Sequence, residues 1–163
     1  MTRWGWMFLV VALLAAGCGG LRVTRGQAAP GPISTVAVLE FQSQDASHAA
    51  GAADGCLEGV LEAGVRAVER RRVAEVMQER EESRSGEMGA EFYRQLGEML
   101  GVDAFLIGSV QQGGFGTPGN VVVRLVSAAT GDIVIMGSQD SGVGGPTASD
   151  KGRTACRELI RAL

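Results

Sequence analysis

Apolar and polar positions divide the chain into short apolar runs and longer amphipathic stretches, and the period of each predicts a different element. Thr35 to Phe41 is a β-rich apolar run behind Pro32 and reads as a first, largely buried strand. Beyond a polar turn, Asp45 or Ser47 is placed to cap a helix. Its apolar and small positions, Ala49, Ala53, Cys56, Leu57, Val60, Leu61 and Gly64, fall along one stripe. Val65 to Glu69 is a short second strand. Arg70 to Glu82 is a helix with Val73, Val76 and Met77 inward, and Ser83 to Gly86 is a break. Glu87 to Leu100 is a third helix, with Met88, Phe92, Leu96, Met99 and Leu100 on one face and Gly101 just past its end.

Asp103 to Val110 carries the strongest strand pattern in the chain. Val121 to Ser127 and Asp132 to Gly137 are two more strands, joined by a turn over Ala128 to Gly131 in which the glycine suits a tight hairpin. A Gly-rich loop from Gly142 to Pro146 leads to a last helix with Ala155, Cys156, Leu159, Ile160 and Leu163 on one side. Helices and strands interleave and then strands run together. This order predicts an α/β (α+β) fold, a mixed β-sheet of about four to five strands with helices packed on it in a single domain.

The N-terminus has a different pattern. Arg3 precedes an apolar run from Trp6 to Ala16, and the small residues Ala15, Ala16 and Gly17 lead directly into Cys18, the layout of a cleaved export signal. About 11 residues cover roughly 16 Å as a helix, against the ~30 Å of a bilayer core, so the run is too short to remain as a spanning helix. Leu14 to Cys18 resembles the lipobox of bacterial lipoproteins. That resemblance implies a signal peptide over 1–17 and lipidation of Cys18, with diacylglycerol and an N-acyl chain such as palmitate. An ordinary secretion signal cut after Gly17 is the alternative. Gly19 stands where aspartate would mark inner-membrane retention, so the resemblance implies the outer membrane, with the protein lipid-anchored on its periplasmic face. Residues 18–32 have no apolar period and read as a flexible tether, leaving 33–163 as the domain.

Without the leader, which carries one cation, the formal charge of −3 becomes −4. A mildly acidic domain has no broad attraction for nucleic acid or anionic lipid. Cys56 and Cys156 fall on apolar helix faces, as buried free thiols do. The sharper reading is a disulfide, which requires both helices on one side of the sheet and Cα atoms within about 7 Å.

Val36 to Phe41, Val68 to Glu79, Leu96 to Val110 and Val123 to Val134, in that order and spacing, resemble the periplasmic domain of the curli-assembly (CsgG-type) lipoproteins. The penicillin-binding-protein activator LpoB is similar in fold. The resemblance implies a compact α/β domain that works through protein contacts, without catalysis or cofactor. Its partner would be an envelope protein, either a peptidoglycan synthase or secretion and assembly machinery, or further copies of itself. A subunit of a curli-type secretion channel is the alternative. A channel needs strands of about 9–11 residues to cross a membrane, and the loop from Gln111 to Asn120 is too short to hold two.

Enzyme chemistry finds little to use. Gly114 to Gly119 matches G-x-G-x-x-G, but Val121 to Val123 reads as a strand where a dinucleotide site needs a helix N-terminus, so a hairpin loop is expected. His48, the single histidine, lies in a polar helix start near Asp45 and reads as a surface residue. One histidine and widely separated cysteines lack metal-ligand spacing. Arg70, Arg71 and Arg72 form a cationic run, but Glu69, Glu75 and Glu79 around it predict internal pairing on a solvated helix.

Overall fold

A computed structural model of the chain describes residues 21–26, 31–39, 41–68, 70–81, 89–114, 117–140 and 145–163. In chain order they form β1 (Leu21–Arg25), β2 (Thr35–Val38), β3 (Gln42–Ser43), α1 (Ala46–Glu62), β4 (Arg66–Val68), α2 (Arg70–Glu81), α3 (Ala90–Leu100), β5 (Ala104–Gln112), β6 (Pro118–Ser127), β7 (Ile133–Gln139) and α4 (Ala148–Arg161). The strands make one seven-stranded mixed sheet in the order β1-β7-β6-β5-β2-β4, with β3 paired to the end of β5. β2 is parallel to β4 and β5, whereas β5, β6, β7 and β1 are successive antiparallel neighbours.

The period of two along the central strands sorts their side chains into two cores. Val36 and Val38 of β2, Leu106 of β5, Val123 and Leu125 of β6 and Ile135 of β7 face α1 and α4. Ala37, Leu39 and Phe105 point the other way, against Val73 of α2 and Leu96 and Leu100 of α3. β2 is buried on both faces, which is why it reads as a continuous apolar run. Asp45 caps α1 by accepting from the backbone N–H of Ser47 at 2.8 Å, and Thr147 and Asp150 form a capping box at the start of α4. Gly101, at φ 65°, ends α3 in the left-handed conformation that glycine adopts without cost.

The α1–α4 contact is the closest in the fold. A β-carbon built on Gly55 would stand 1.9 Å from the carbonyl oxygen of Ser149, one on Gly59 2.2 Å from that of Arg153, and one on Gly152 2.0 Å from that of Ala52. Two helix backbones therefore touch through glycine alone. Cys56 and Cys156 meet across this contact and are bonded, with Cα atoms 5.1 Å apart and a loop of 100 residues closed between them. In the chain-entropy account a loop of that length contributes about 4–5 kcal/mol.

The fold is the expected α/β class, with more strands than the pattern predicts. The segment read as a tether over 18–32 contains β1. Its edge strand carries Arg22, Thr24 and Arg25 in solvent, so it shows no apolar alternation. Leu21 packs on the α1–α4 core, Arg25 donates to the carbonyl of Ala162 at the end of α4, and the N–H of Gly26 reaches the carbonyl of Val134 at 2.7 Å. β3, at two residues, is too short to have a period. Leu61 and Met99, expected inward, are 57% and 45% exposed, and Leu163 is exposed too. The α1 stripe is centred on its smallest residues because helix contact, not side-chain size, sets which face is buried. The leader 1–17, Cys18, Gly19, Glu69, Ser83 to Gly86 and Met88, with the side chains of Arg70, Arg71 and Glu79, lie outside the described residues.

Gly55→Val is expected to cost about 3 kcal/mol, the upper end of overpacking penalties, because the clash is with backbone that cannot rotate away. A melt followed by circular dichroism should show the midpoint falling by about 10 °C. An unchanged midpoint would mean that the helices do not meet through Gly55.

Candidate interaction surface

α2 and α3 cover only one half of their side of the sheet, over β2 and β5. On the other half, made by β6, β7 and β1 with the outer edge of β5, Val126 beside Phe105 is buried and the next two rows along the strands are not. The register sets its rows: Ile107, Arg124, Met136 and Thr24 lie side by side across four strands, and Ser109, Val122, Ser138 and Arg22 form the next row. All eight are half-buried or exposed, although their neighbours one residue along the central strands, Gln139 apart, are buried. Ile107, Val122 and Met136 make an apolar centre, and Arg22 and Arg124 are exposed cations beside it. Tyr93 of α3 borders the surface, packing on Phe105 with ring centroids 5.6 Å apart. Its hydroxyl is pushed to a higher pKa by burial, against the opposing influence of the Arg124 cation.

Such a surface can bury apolar area and pair two cations, which is binding chemistry. The remaining exposed faces are different. On the outside of α1 and α4, Arg157 pairs with Glu62 at 3.0 Å and Arg153 with Asp150 at 3.1 Å, a solvated ionic surface worth little in stability.

A cleft of about 610 Å³ opens at the far end of the sheet between α3, the start of β5 and the β6–β7 turn, lined in part by Ile33, Arg94, Glu98, Asp103 and Ala129. Its charged groups are committed to one another or to the backbone. Arg94 reaches Glu91 at 2.7 Å and Glu98 at 2.5 Å. The Asp103 carboxylate accepts from the N–H of Ser34 at 2.8 Å, from the Ser34 hydroxyl at 2.9 Å and from the N–H of Thr35 at 2.9 Å. The Ser34 backbone bond lowers its pKa most, desolvation by burial opposes it, and the bonds from Thr35 and the Ser34 hydroxyl with the Arg66 cation leave the carboxyl below its usual value.

The sequence-singled residues are dispersed. His48 stands in the first turn of α1 with Nδ1 3.9 Å from Asp45, whose carboxylate is already bonded to Ser47. Gly114 belongs to the β5–β6 turn, closed by the N–H of Gly113 to the carbonyl of Thr117 at 2.8 Å, and Gly119 lies inside β6 with no helix following. Arg72 is exposed on α2. Among the described residues no group of three or more His, Cys, Asp or Glu is placed to hold a metal, and no helix is long and apolar enough to cross a membrane. Sequence reasoning missed the open half-sheet, since strand alternation there predicts only that one face is solvated. It also missed Lys151, fully buried on α4, whose ammonium donates to the carbonyls of Pro118 and Gly119.

No family model and no curated protein matches the chain. Among solved structures it is similar to a variant of the PelC dodecamer from Paraburkholderia phytofirmans, with a TM-score of 0.57 at 16% identity, covering 89% of this chain and 97% of that one. It is also similar to the lipoprotein GNA1162 from Neisseria meningitidis, with a TM-score of 0.52 at 20% identity over 70% of this chain and 85% of that one. The LpoB C-terminal domain from Escherichia coli aligns at a TM-score of 0.49 and 14% identity, over 71% and 87%. What is shared with the PelC and GNA1162 structures at these identities is the fold.

Asp103 yields a test of the cleft. A carboxylate with a lowered folded pKa stabilises the fold above its ordinary value of 3.8 and loses that contribution as pH falls through the lowered one. Asp103→Asn is expected to melt at a lower temperature at neutral pH and to lose less stability than wild type on acidification, read by thermal melts across a pH series. Parallel acid profiles for the two proteins would contradict this.

Proposed function

We propose that this chain is a lipid-anchored assembly protein of a bacterial envelope that associates with copies of itself through the open half of its sheet, without catalysis. The open half-sheet carries this reading: an apolar centre on regular strands, flanked by cations and left uncovered by the helices that protect the other half. The likeness in fold to a protein titled a dodecamer and to one titled a lipoprotein supports it. The bridge between Cys56 and Cys156 suits an oxidising compartment outside the cytosol. Anchorage is assigned to Cys18, on the periplasmic face of the outer membrane, and membrane attachment by several acyl chains is effectively permanent.

The two named alternatives require features the described chain does not favour. An activator that meets a peptidoglycan synthase across the periplasm needs a long tether, and β1 begins at Leu21, three residues after Cys18. A curli-type channel needs strands long enough to span, whereas β5 and β6 spend Ala104 to Val110 and Val121 to Ser127 inside the domain and project only from Gln111 to Asn120. The CsgG-type resemblance is kept as an analogy of fold and of assembly by contact.

A photo-crosslinking residue at Ser138, introduced into the full chain in cells, is expected to give a ladder of products at multiples of the protein's own mass. Adding Met136→Asp should abolish the ladder while leaving the melting midpoint in place. Crosslinks to a different envelope protein alone would replace self-assembly with a heterologous partner, and a ladder unaffected by Met136→Asp would move the interface elsewhere.

A further inference from the structure

We infer that the domain rests directly on the lipid surface and in one orientation, with the β5–β6 hairpin end facing the bilayer and the β6–β7 turn facing away. The inference depends on the proposed acylation of Cys18, and its new content is the membrane-contacting surface.

Only Gly19 and Gly20 separate Cys18 from Leu21, and three residue steps extend at most about 11 Å. Leu21 is fixed, because it pairs with Gln139 of β7, which pairs with Val121 of β6, which pairs with Val110 of β5. These four residues form one row across the sheet. β1 runs antiparallel to β7, so the chain preceding Leu21 leaves the row on the side toward which β5 and β7 run.

The β5–β6 hairpin projects from the same row on the same side, through Gln112 opposite Pro118 to the turn at Gly113 and Gly114. An overhang of three to four residues is about 10–13 Å at strand spacing. The hairpin tip therefore reaches as far from the row as the acylated residue does, and a bilayer holding the acyl chains meets the tip. The hairpin base is held by Lys151, which ties the carbonyls of Pro118 and Gly119 to α4.

The chemistry of this end is independent of that geometry and agrees with it. From Ala104 to Val123 the chain has no charged residue. The shallow surface beside the hairpin is formed by Gln42, Ser43, Gln44, Gln111 and Gln112. Asp45 and Asp150, at the same end, cap helices, and Asp140, the residue after Gln139 of the row, is an exposed carboxylate beside them, so the uncharged surface is that of the hairpin itself. The opposite end carries Arg94, Glu98 and Asp103. Placing charge against a lipid interface costs desolvation energy, and an uncharged amide and glycine surface avoids most of it. The hairpin carries no cation, so anionic lipid is expected not to strengthen the contact.

Two reporters read the orientation in the lipidated full-length protein. Gly114→Cys puts a thiol where a β-carbon has open space, and Ala129→Cys puts one on the exposed turn at the far end. Each is labelled with a fluorophore and the protein is reconstituted in phosphatidylcholine vesicles containing a nitroxide-quencher lipid. Quenching is expected to be several-fold stronger at Gly114→Cys than at Ala129→Cys, not to rise when phosphatidylglycerol is added, and to fall when a Gly/Ser spacer is inserted between Gly20 and Leu21. Equal quenching at the two sites in protein that floats with the vesicles, or stronger quenching at Ala129→Cys, overturns the orientation while leaving the anchor intact. A mass with no acyl addition at Cys18 overturns the anchor and the orientation together, and Cys18→Ser supplies the unanchored baseline.

Discussion

The close approach of α1 to α4 is the constraint from which most of the structure follows. Ordinary helix pairs stand 8–10 Å apart and meet through side chains. Here Gly55, Gly59 and Gly152 let each backbone touch the other, and the Cys56–Cys156 bridge closes the same seam. Two helices drawn together so tightly act as one slab, and Cys56, Val60, Ala155, Cys156 and Leu159 of that slab are fully buried within the core they form with the sheet. Both helices begin at the end of the sheet where β5 and β6 turn. Lys151, one residue before Gly152, is consequently carried into the base of that hairpin and gives its ammonium to two carbonyls that would otherwise be left without a donor from α4.

One face of the sheet is thus sealed over most of its width, and the other is sealed over half. α2 and α3 are drawn to β2 and β5 by Leu39, Phe105, Leu96 and Leu100, the large apolar residues of the second core. Beyond β5 the outward positions become Val122, Arg124, Ser138, Arg22 and Thr24, and they offer too little apolar area to hold a helix. The retained centre of Ile107, Val122 and Met136 is more than solvation needs and less than a core needs. That intermediate character suits a surface that exists both free and covered.

Much of this was legible from hydrophobic period alone. The strands that are apolar on both faces, β2 and β5, and the helices with clear stripes, α3 and α4, appear where the pattern puts them, because burial and period are the same physical fact seen twice. The misses have equally physical causes. β1 is an edge strand with solvent on most of its side chains, so its sequence is that of a linker. Leu61 falls on the apolar stripe by helical spacing, whereas the α1 interface selects for the absence of a side chain. Gly51, Gly55 and Gly59 at intervals of four in α1 were the available signal for a backbone contact, and reading glycine only as a breaker conceals it. Lys151 looks like any surface lysine, since nothing local reveals that a hairpin distant in sequence will cover it. The open half-sheet is a property of which helix covers which strand, and no single segment encodes that.

Anchorage and assembly constrain one another. Under the proposed acylation of Cys18, copies held by three residues from lipid to first strand would share one orientation and move in two dimensions, so association would be favoured by a raised effective concentration without any new contact. The shared orientation also restricts symmetry. A two-fold axis lying in the membrane plane would point one copy's hairpin end away from the bilayer and is excluded, whereas rotation about the membrane normal keeps every acylated end on the same side. A two-fold along the membrane normal would pair the two open half-sheets with each other, whereas a rotation of any other order would bring the open half-sheet of one copy against a different surface of the next. Heterologous contact of that kind closes into a ring when the rotation between neighbours divides a full turn, and otherwise continues as an open array. For the proposed anchored domain with one uncovered flank, closed cyclic assembly about the membrane normal would cover the flank of every copy.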